Sequence, residues 1–275
     1  MKRIIIFVLL LLPGIRVFSQ KTDHLKELNI PYYSDSINQS DKNIKEKCLL
    51  DIYYPAKEKN FPTIVWFHGG GLVGGDKALP KALLRPGICV VTINYRLRVK
   101  SPKHLEDAAA SVAWVFDNIK KYGGNPDLIF VAGHSAGAYL TSMIGLDKKW
   151  LAAHNIDANK IAGLFPLSSN GITHKAYKHE KGVKSMIPWI DEYAPLFHVR
   201  ADAPPLILMT GDRELEMVGR YEENAYLARM MKLNGHKETV LYEFEGYGHG
   251  MTTPGFPLVF KWVDIITKRI KETQK

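Results

Sequence analysis

The pentapeptide Gly133-His134-Ser135-Ala136-Gly137 constrains the fold of this chain more than any other segment. The apolar run Leu128 to Ala132 before it has the length and composition of a buried parallel strand. After it, Ala138, Tyr139, Leu140, Met143 and Ile144 recur at helical spacing. A strand that reverses at once into a helix holds its turn residue at φ > 0, and side chains two positions to either side would collide. Glycines at 133 and 137 remove that collision and leave the Ser135 hydroxyl exposed. Gly, Ser and Ala are common residues, so the flanking strand and helix are what give the pattern weight.

Further strand signals cover Leu49 to Tyr54, Thr63 to Phe67, Ile88 to Tyr95, Ala162 to Leu167, Leu206 to Thr210 and Val240 to Phe244. Helical segments lie between them, which predicts an α/β fold of βα units on a mostly parallel sheet with helices on both faces. The clearest helix follows Ser101-Pro102, read as N-cap and first helical residue. Leu105, Ala108, Ala109, Val112, Phe116 and Ile119 form its buried stripe, and Gly123-Gly124 stops it. Two more helices are predicted, from about 221 to 233 and from 258 to 270. Nothing repeats and no linker divides the chain, so residues 20–275 read as a single domain; with 46% hydrophobic residues it has ample material for a core.

The stretch from Ser169 to Ala203 behaves differently. It mixes Lys175, Lys178, His179, Lys181 and Lys184 with Tyr177, Trp189 and Tyr193, is interrupted by Pro188 and Pro195, and holds no period. It is expected to be a small lid with a short helix over one end of the sheet. Loops at the carboxyl ends of parallel strands are where such sheets bind ligands, which makes this segment a candidate substrate wall.

Residues 1–19 are set apart. Lys2-Arg3, the apolar run Ile4 to Leu12 and Val17-Phe18-Ser19 before Gln20 have the three-part layout of a secretory signal peptide, which predicts a periplasmic or extracellular protein. The apolar run, halted by Pro13-Gly14, falls well short of the about 20 residues a membrane span needs. Loss of Lys2, Arg3 and Arg16 would lower the formal charge from +9 to about +6. The remaining lysines are dispersed, with no basic helix, zinc-ligand spacing or aromatic nucleic-acid motif, so the charge reads as solvated surface and not as a nucleic-acid site. Cys48 and Cys89 each lie in an apolar run and are expected to remain free, buried thiols.

A serine hydroxyl is a poor nucleophile until a base takes its proton. His249, in Gly246-Tyr247-Gly248-His249-Gly250 just beyond the run ending at Phe244, is the best-placed of ten histidines. His134 reads as structural, and His174, His179 and His198 fall in the lid segment, where they could touch substrate. The base needs an acid to fix its tautomer, and Asp212 follows directly on the run Leu206 to Met209. Glu214 and Glu216, a few residues on, are substitutes. The chain order Ser135, Asp212, His249 is the one an α/β-hydrolase triad requires. His68-Gly69-Gly70-Gly71 follows the run ending at Phe67, and its glycines let the amides of Gly69 or Gly70 join that of Ala136 in an oxyanion hole.

With these segments together the chain resembles α/β-hydrolase-fold serine esterases, over roughly residues 45–272. His68-Gly69-Gly70-Gly71, Gly74-Gly75-Asp76-Lys77, Asn94-Tyr95-Arg96-Leu97, Asp107 and the Ser135 pentapeptide are most similar to the bacterial feruloyl and acetyl esterase-like group and the relatives of hormone-sensitive lipase. The resemblance implies an eight-stranded sheet, no cofactor, and hydrolysis of a small ester or acylated carbohydrate through an acyl-enzyme on the serine. Gln20 to Lys47 is short for the helical cap of the lipase relatives, and Leu72 stands where an aromatic residue is frequent. Arylformamidases, which cleave an N-formyl group, carry similar elbows; a non-catalytic binding protein on the same scaffold would typically lack the serine or the histidine.

Overall fold

The computed structural model describes residues 23–274. The segment read as a signal peptide lies outside them. Eight strands form one sheet: β1 (His24–Pro31), β2 (Leu49–Pro55), β3 (Phe61–Phe67), β4 (Cys89–Ile93), β5 (Gly124–His134), β6 (Gly163–Leu167), β7 (Leu206–Gly211) and β8 (Thr239–Phe244). Their order is β1-β2-β4-β3-β5-β6-β7-β8, with β1 and β2 antiparallel to their neighbours and β3 to β8 parallel.

The helices are α1 (Asp35–Ser40), α2 (Lys42–Lys47), α3 (Lys103–Tyr122), α4 (Ala136–Leu146), α5 (Lys149–Ala152), α6 (Lys175–Glu180), α7 (Arg220–Leu233) and α8 (Thr252–Thr273). Successive strand side chains point to opposite faces. Val65 and Phe67 of β3 therefore pack with the buried sides of α3, α4 and α7, while Ile64 and Trp66 pack with Phe256, Val259 and Val263 of α8. Helices thus cover both faces, as the alternation of strand and helix signals predicts.

All seven sequence-predicted strands are present, with ends shifted by up to four residues. The eighth, β1, carried no apolar run because it is an edge strand exposed along most of its length. Helix α3 begins at Lys103, not at a Ser101 cap: the Ser101 hydroxyl donates to Glu180 and makes no cap bond. Its stop is as predicted, with Gly123 at φ 96° in the left-handed region. Helix α8 starts six residues before the predicted Leu258, since Pro254 falls in the first turn, where an amide has no intrahelical acceptor. Residues 169–203 form no strand; they carry α6 and a 3-10 turn at Pro195–His198. Cys48 and Cys89 are buried and unpaired.

Asn94-Tyr95-Arg96 leaves the end of β4 and locks the glycine loop and α3 to the sheet. Tyr95 stacks on His68 with ring centroids 4.5 Å apart and donates its hydroxyl to the His68 carbonyl. Asn94 donates to Asp76. Arg96 reaches the fully buried Asp107 of α3 through Nε and Nη2, and its backbone amide bonds the same carboxylate. Lys77 pairs with Asp51 of β2 at 2.8 Å.

Candidate active site

Ser135 stands between β5 and α4 at φ 56°, ψ −117°. A Cβ on Gly133 would lie 2.4 Å from the Gly137 carbonyl oxygen, and one on Gly137 would lie 2.1 Å from that of Phe67. Both glycines are therefore required by the close passage of backbone around the serine. The Ser135 amide donates to the Leu167 carbonyl at 2.9 Å, which fixes the strained turn to β6.

His249 arrives on the loop after β8. Its Nε2 lies 3.0 Å from Ser135 Oγ. On the other side of the ring, Nδ1 donates to Glu216 Oε1 at 2.7 Å, and Ser168 Oγ lies 3.0 Å from the same nitrogen. With its hydrogen on Nδ1, the imidazole turns a lone pair towards the serine. His134 Nε2 donates to the His249 carbonyl at 2.7 Å and so holds the His249 loop against the elbow, the structural place the sequence suggests for it.

Asp212 does not reach His249. Its carboxylate accepts from the amides of Gly246 at 2.9 Å and Glu214 at 2.9 Å, and its own amide donates to the Tyr247 carbonyl. It ties the β7 turn to the β8 turn. The turn it opens carries the chain on until Glu216, a substitute in the sequence reading, faces the ring; Glu214 is exposed. The side chain of Glu216 is fully buried. Burial by itself would raise the Glu216 carboxyl, but hydrogen bonds from His249, the Met217 amide and Ser168 overcome it and bring the group down to about 2. Ser168, at φ 57° just past β6, had no sequence signal beyond its place after an apolar strand.

The glycine loop lies on the other side of the serine. Gly70 and Gly71 adopt φ of 115° and 64°, and both line the cavity that opens onto Ser135, His134 and His249. Gly69 stands behind it: a Cβ there would be 3.1 Å from the His134 carbonyl and 3.3 Å from Ser135 Cβ. The amide of Ala136 is the first of α4, with no intrahelical acceptor. Leu72 is fully buried in the core and is absent from the lining. The cavity measures about 380 Å³, within the range of small-ligand sites, and is completed by Asn170, His174 and Lys175 from the 169–203 segment, by Met217 from the turn before α7 and by Arg220, its first residue.

Glycine loop, elbow serine, carboxylate and histidine thus follow β3, β5, β7 and β8, all at the carboxyl ends of parallel strands, and with the strand order they define an α/β-hydrolase fold. The chain belongs to the BD-FAE family, whose model matches residues 50–227. It is 40% identical over 122 residues to mouse (Mus musculus) carboxylesterase 1C, covering 38% of this chain and 22% of that one. The chain spans less than a quarter of the length of the curated relatives it matches. Among solved structures it is similar to a truncated carbohydrate esterase from gut microbiota, with TM-score 0.74 and 19% identity, covering 91% of this chain and 99% of that one. It is also similar to propionate-bound esterase 2 of Thermogutta terrifontis, with TM-score 0.69 and 22% identity over 87% and 94% of the two chains.

Proposed function

We propose that the protein is a serine carboxylic-ester hydrolase with Ser135 as nucleophile, His249 as general base and Glu216 as the acid that orients the base. The observation that carries this reading is the unbroken hydrogen-bonded path from Ser135 Oγ through both nitrogens of His249 to a buried, ionised carboxylate. Membership of the BD-FAE family and the esterase relatives support it.

His249 Nε2 takes the Ser135 proton as Oγ bonds to the ester carbonyl carbon. The resulting oxyanion receives N–H donors from Ala136 and from Gly70 and Gly71, each worth roughly 3 to 4 kcal/mol of transition-state stabilisation. The carbon–oxygen bond to the alcohol then breaks, and the imidazolium returns its proton to the departing oxygen. A water deprotonated by the same nitrogen attacks the acyl-serine, releasing the acid and restoring the hydroxyl. Glu216 remains ionised throughout and stabilises the imidazolium.

The natural substrate in this reading is a small ester or an acylated carbohydrate carrying acetyl or hydroxycinnamoyl groups. The cavity volume suits one acyl group, and a carbohydrate esterase is among the proteins of like fold. Export through residues 1–19 would place the protein in the periplasm or outside the cell, and the exported form should begin at Gln20. Hydrolysis of p-nitrophenyl acetate by the wild type and by Ser135→Ala tests the assignment: the variant should lose at least about a thousandfold in kcat. Equal rates would sink it, and a preference for N-formylkynurenine over every ester would move the activity to amide cleavage.

A further inference from the structure

The cavity on Ser135 is charged in one sense. Arg220 and Lys175 line it, and no aspartate or glutamate does. Arg220 is 7% exposed and opens α7. Its polar partners among the described residues are the Ser168 carbonyl, 2.9 Å from Nη1, and the Met217 sulfur, 3.9 Å from Nη2. No carboxylate of the described residues is paired with Arg220 or Lys175.

The two acids nearest to Arg220 in charge are already committed. Glu216 serves His249 and accepts from the amides of Gly211 and Met217. Glu223 accepts from the Gly171 amide and from Asn170 Nδ2. Glu216 and Glu223 act on Arg220 only through longer-range charge, so a buried guanidinium with no carboxylate in contact remains costly, and a ligand that brings an anion into contact relieves it.

Two further groups face the same space. Lys175 extends towards the glycine loop, so that a Cβ on Gly71 would lie 3.9 Å from its Nζ. His174 is 3% exposed and accepts the Ala176 amide at Nδ1, which leaves the ring hydrogen on Nε2. Burial, then the cations of Arg220 and Lys175, push His174 down to about 3, so it is a neutral donor.

We propose that the substrate carries a carboxylate near its ester bond, bound by Arg220 and Lys175 with His174 Nε2 as a neutral third donor. This rests on the hydrolase reading and narrows it to anionic esters. The carboxylate can belong to the acyl part, as in a half-ester of a short dicarboxylic acid, or to the alcohol part.

Matched pairs separate the two sources and cancel general damage to the site. For the acyl side, mono-p-nitrophenyl adipate is compared with its methyl ester; for the alcohol side, 4-acetoxybenzoate with methyl 4-acetoxybenzoate, each corrected for spontaneous hydrolysis. The wild type should favour the charged member of one pair in kcat/KM. The ratio of charged to neutral should fall by about tenfold or more in Arg220→Gln and clearly in Lys175→Gln. A merely structural Arg220 would lower both members alike and leave the ratio unchanged. An unchanged ratio in both variants overturns the proposal, as does a wild-type ratio at or below one for both pairs. Ser135-dependent hydrolysis of the neutral esters with such a ratio would defeat this inference alone. Should no ester be cleaved, binding of adipate and of 4-hydroxybenzoate to the Ser135→Ala protein by calorimetry still decides it: binding of either that is weakened by adding Arg220→Gln supports the site, and absence of binding by both removes it.

Discussion

Glu216 Oε1 lies 2.7 Å from His249 Nδ1, whereas Asp212, four residues earlier, gives its carboxylate to the backbone of Gly246 and Glu214. Two acids on one turn therefore divide two tasks. One orients an imidazole, and the other fastens the turn that carries the first to the loop that carries the base.

That division predicts opposite outcomes for two isosteric changes. Glu216→Gln should lower kcat for p-nitrophenyl acetate by about 10³ to 10⁴, because the amide no longer holds the tautomer or stabilises the imidazolium. Asp212→Asn retains an acceptor for the Gly246 amide and should cost little activity. Steady-state kinetics on both variants decides between the acids, and the reverse ranking would restore Asp212 to the triad.

Glu216 also makes stability depend on pH. Its carboxyl is lowered in the folded chain from an ordinary 4.5 to about 2. A depressed carboxyl contributes stability that is present above the unfolded value and is lost as pH falls through the folded one. The contribution should thus be complete above pH 4.5 and fade towards pH 2. Unfolding temperatures of wild type and Glu216→Gln should differ most near neutrality and converge in acid; a gap that widened on acidification would contradict the assignment.

The elbow glycines should tolerate no side chain. Gly137→Ala would drive a methyl group to 2.1 Å from the Phe67 carbonyl, and Gly133→Ala to 2.4 Å from that of Gly137. Both should destabilise the fold and abolish hydrolysis, as backbone must move in each case. A Cβ at Gly250 meets nothing within 4 Å, so Gly250→Ala should leave the thermal midpoint nearly unchanged. Differential scanning fluorimetry on the three proteins is sufficient.

Arg96 and Asp107 are 5% and 0% exposed and bonded through two guanidinium nitrogens. Asp107→Ala removes the buried carboxylate and leaves Arg96 only the longer, half-exposed pairs to Asp41 and Glu106, and should cost about 3 kcal/mol in denaturant unfolding. Because Asp107 also accepts from Tyr33 and from the Arg96 amide, the loss should exceed that of Tyr33→Phe, which removes one bond.

Strands β2 to β8 are legible in the sequence because buried strands are short apolar runs, and the elbow is legible because close backbone passage leaves glycine no substitute. Edge strand β1 was silent, since residues exposed along its length carry no hydrophobic signal. Proximity to the end of β7 favours Asp212 in the sequence, but the turn after it runs on before a carboxylate, that of Glu216, meets the His249 ring. Arg220 and the pair His174-Lys175 come from separate segments whose meeting depends on the path of residues 169–203. No spacing in the sequence encodes that path.

The hydrogen bonds from His134 to the His249 carbonyl and from Gly246 to Asp212 bind elbow, acid turn and base loop into one unit. Part of the opposite wall of the cavity, Asn170, His174 and Lys175, comes from the 169–203 segment. Asn170, His174 and Lys175 thus face the cavity from outside that bonded unit, so substitutions at these three positions should change what the cavity admits while Ser135, His249 and Glu216 keep their alignment.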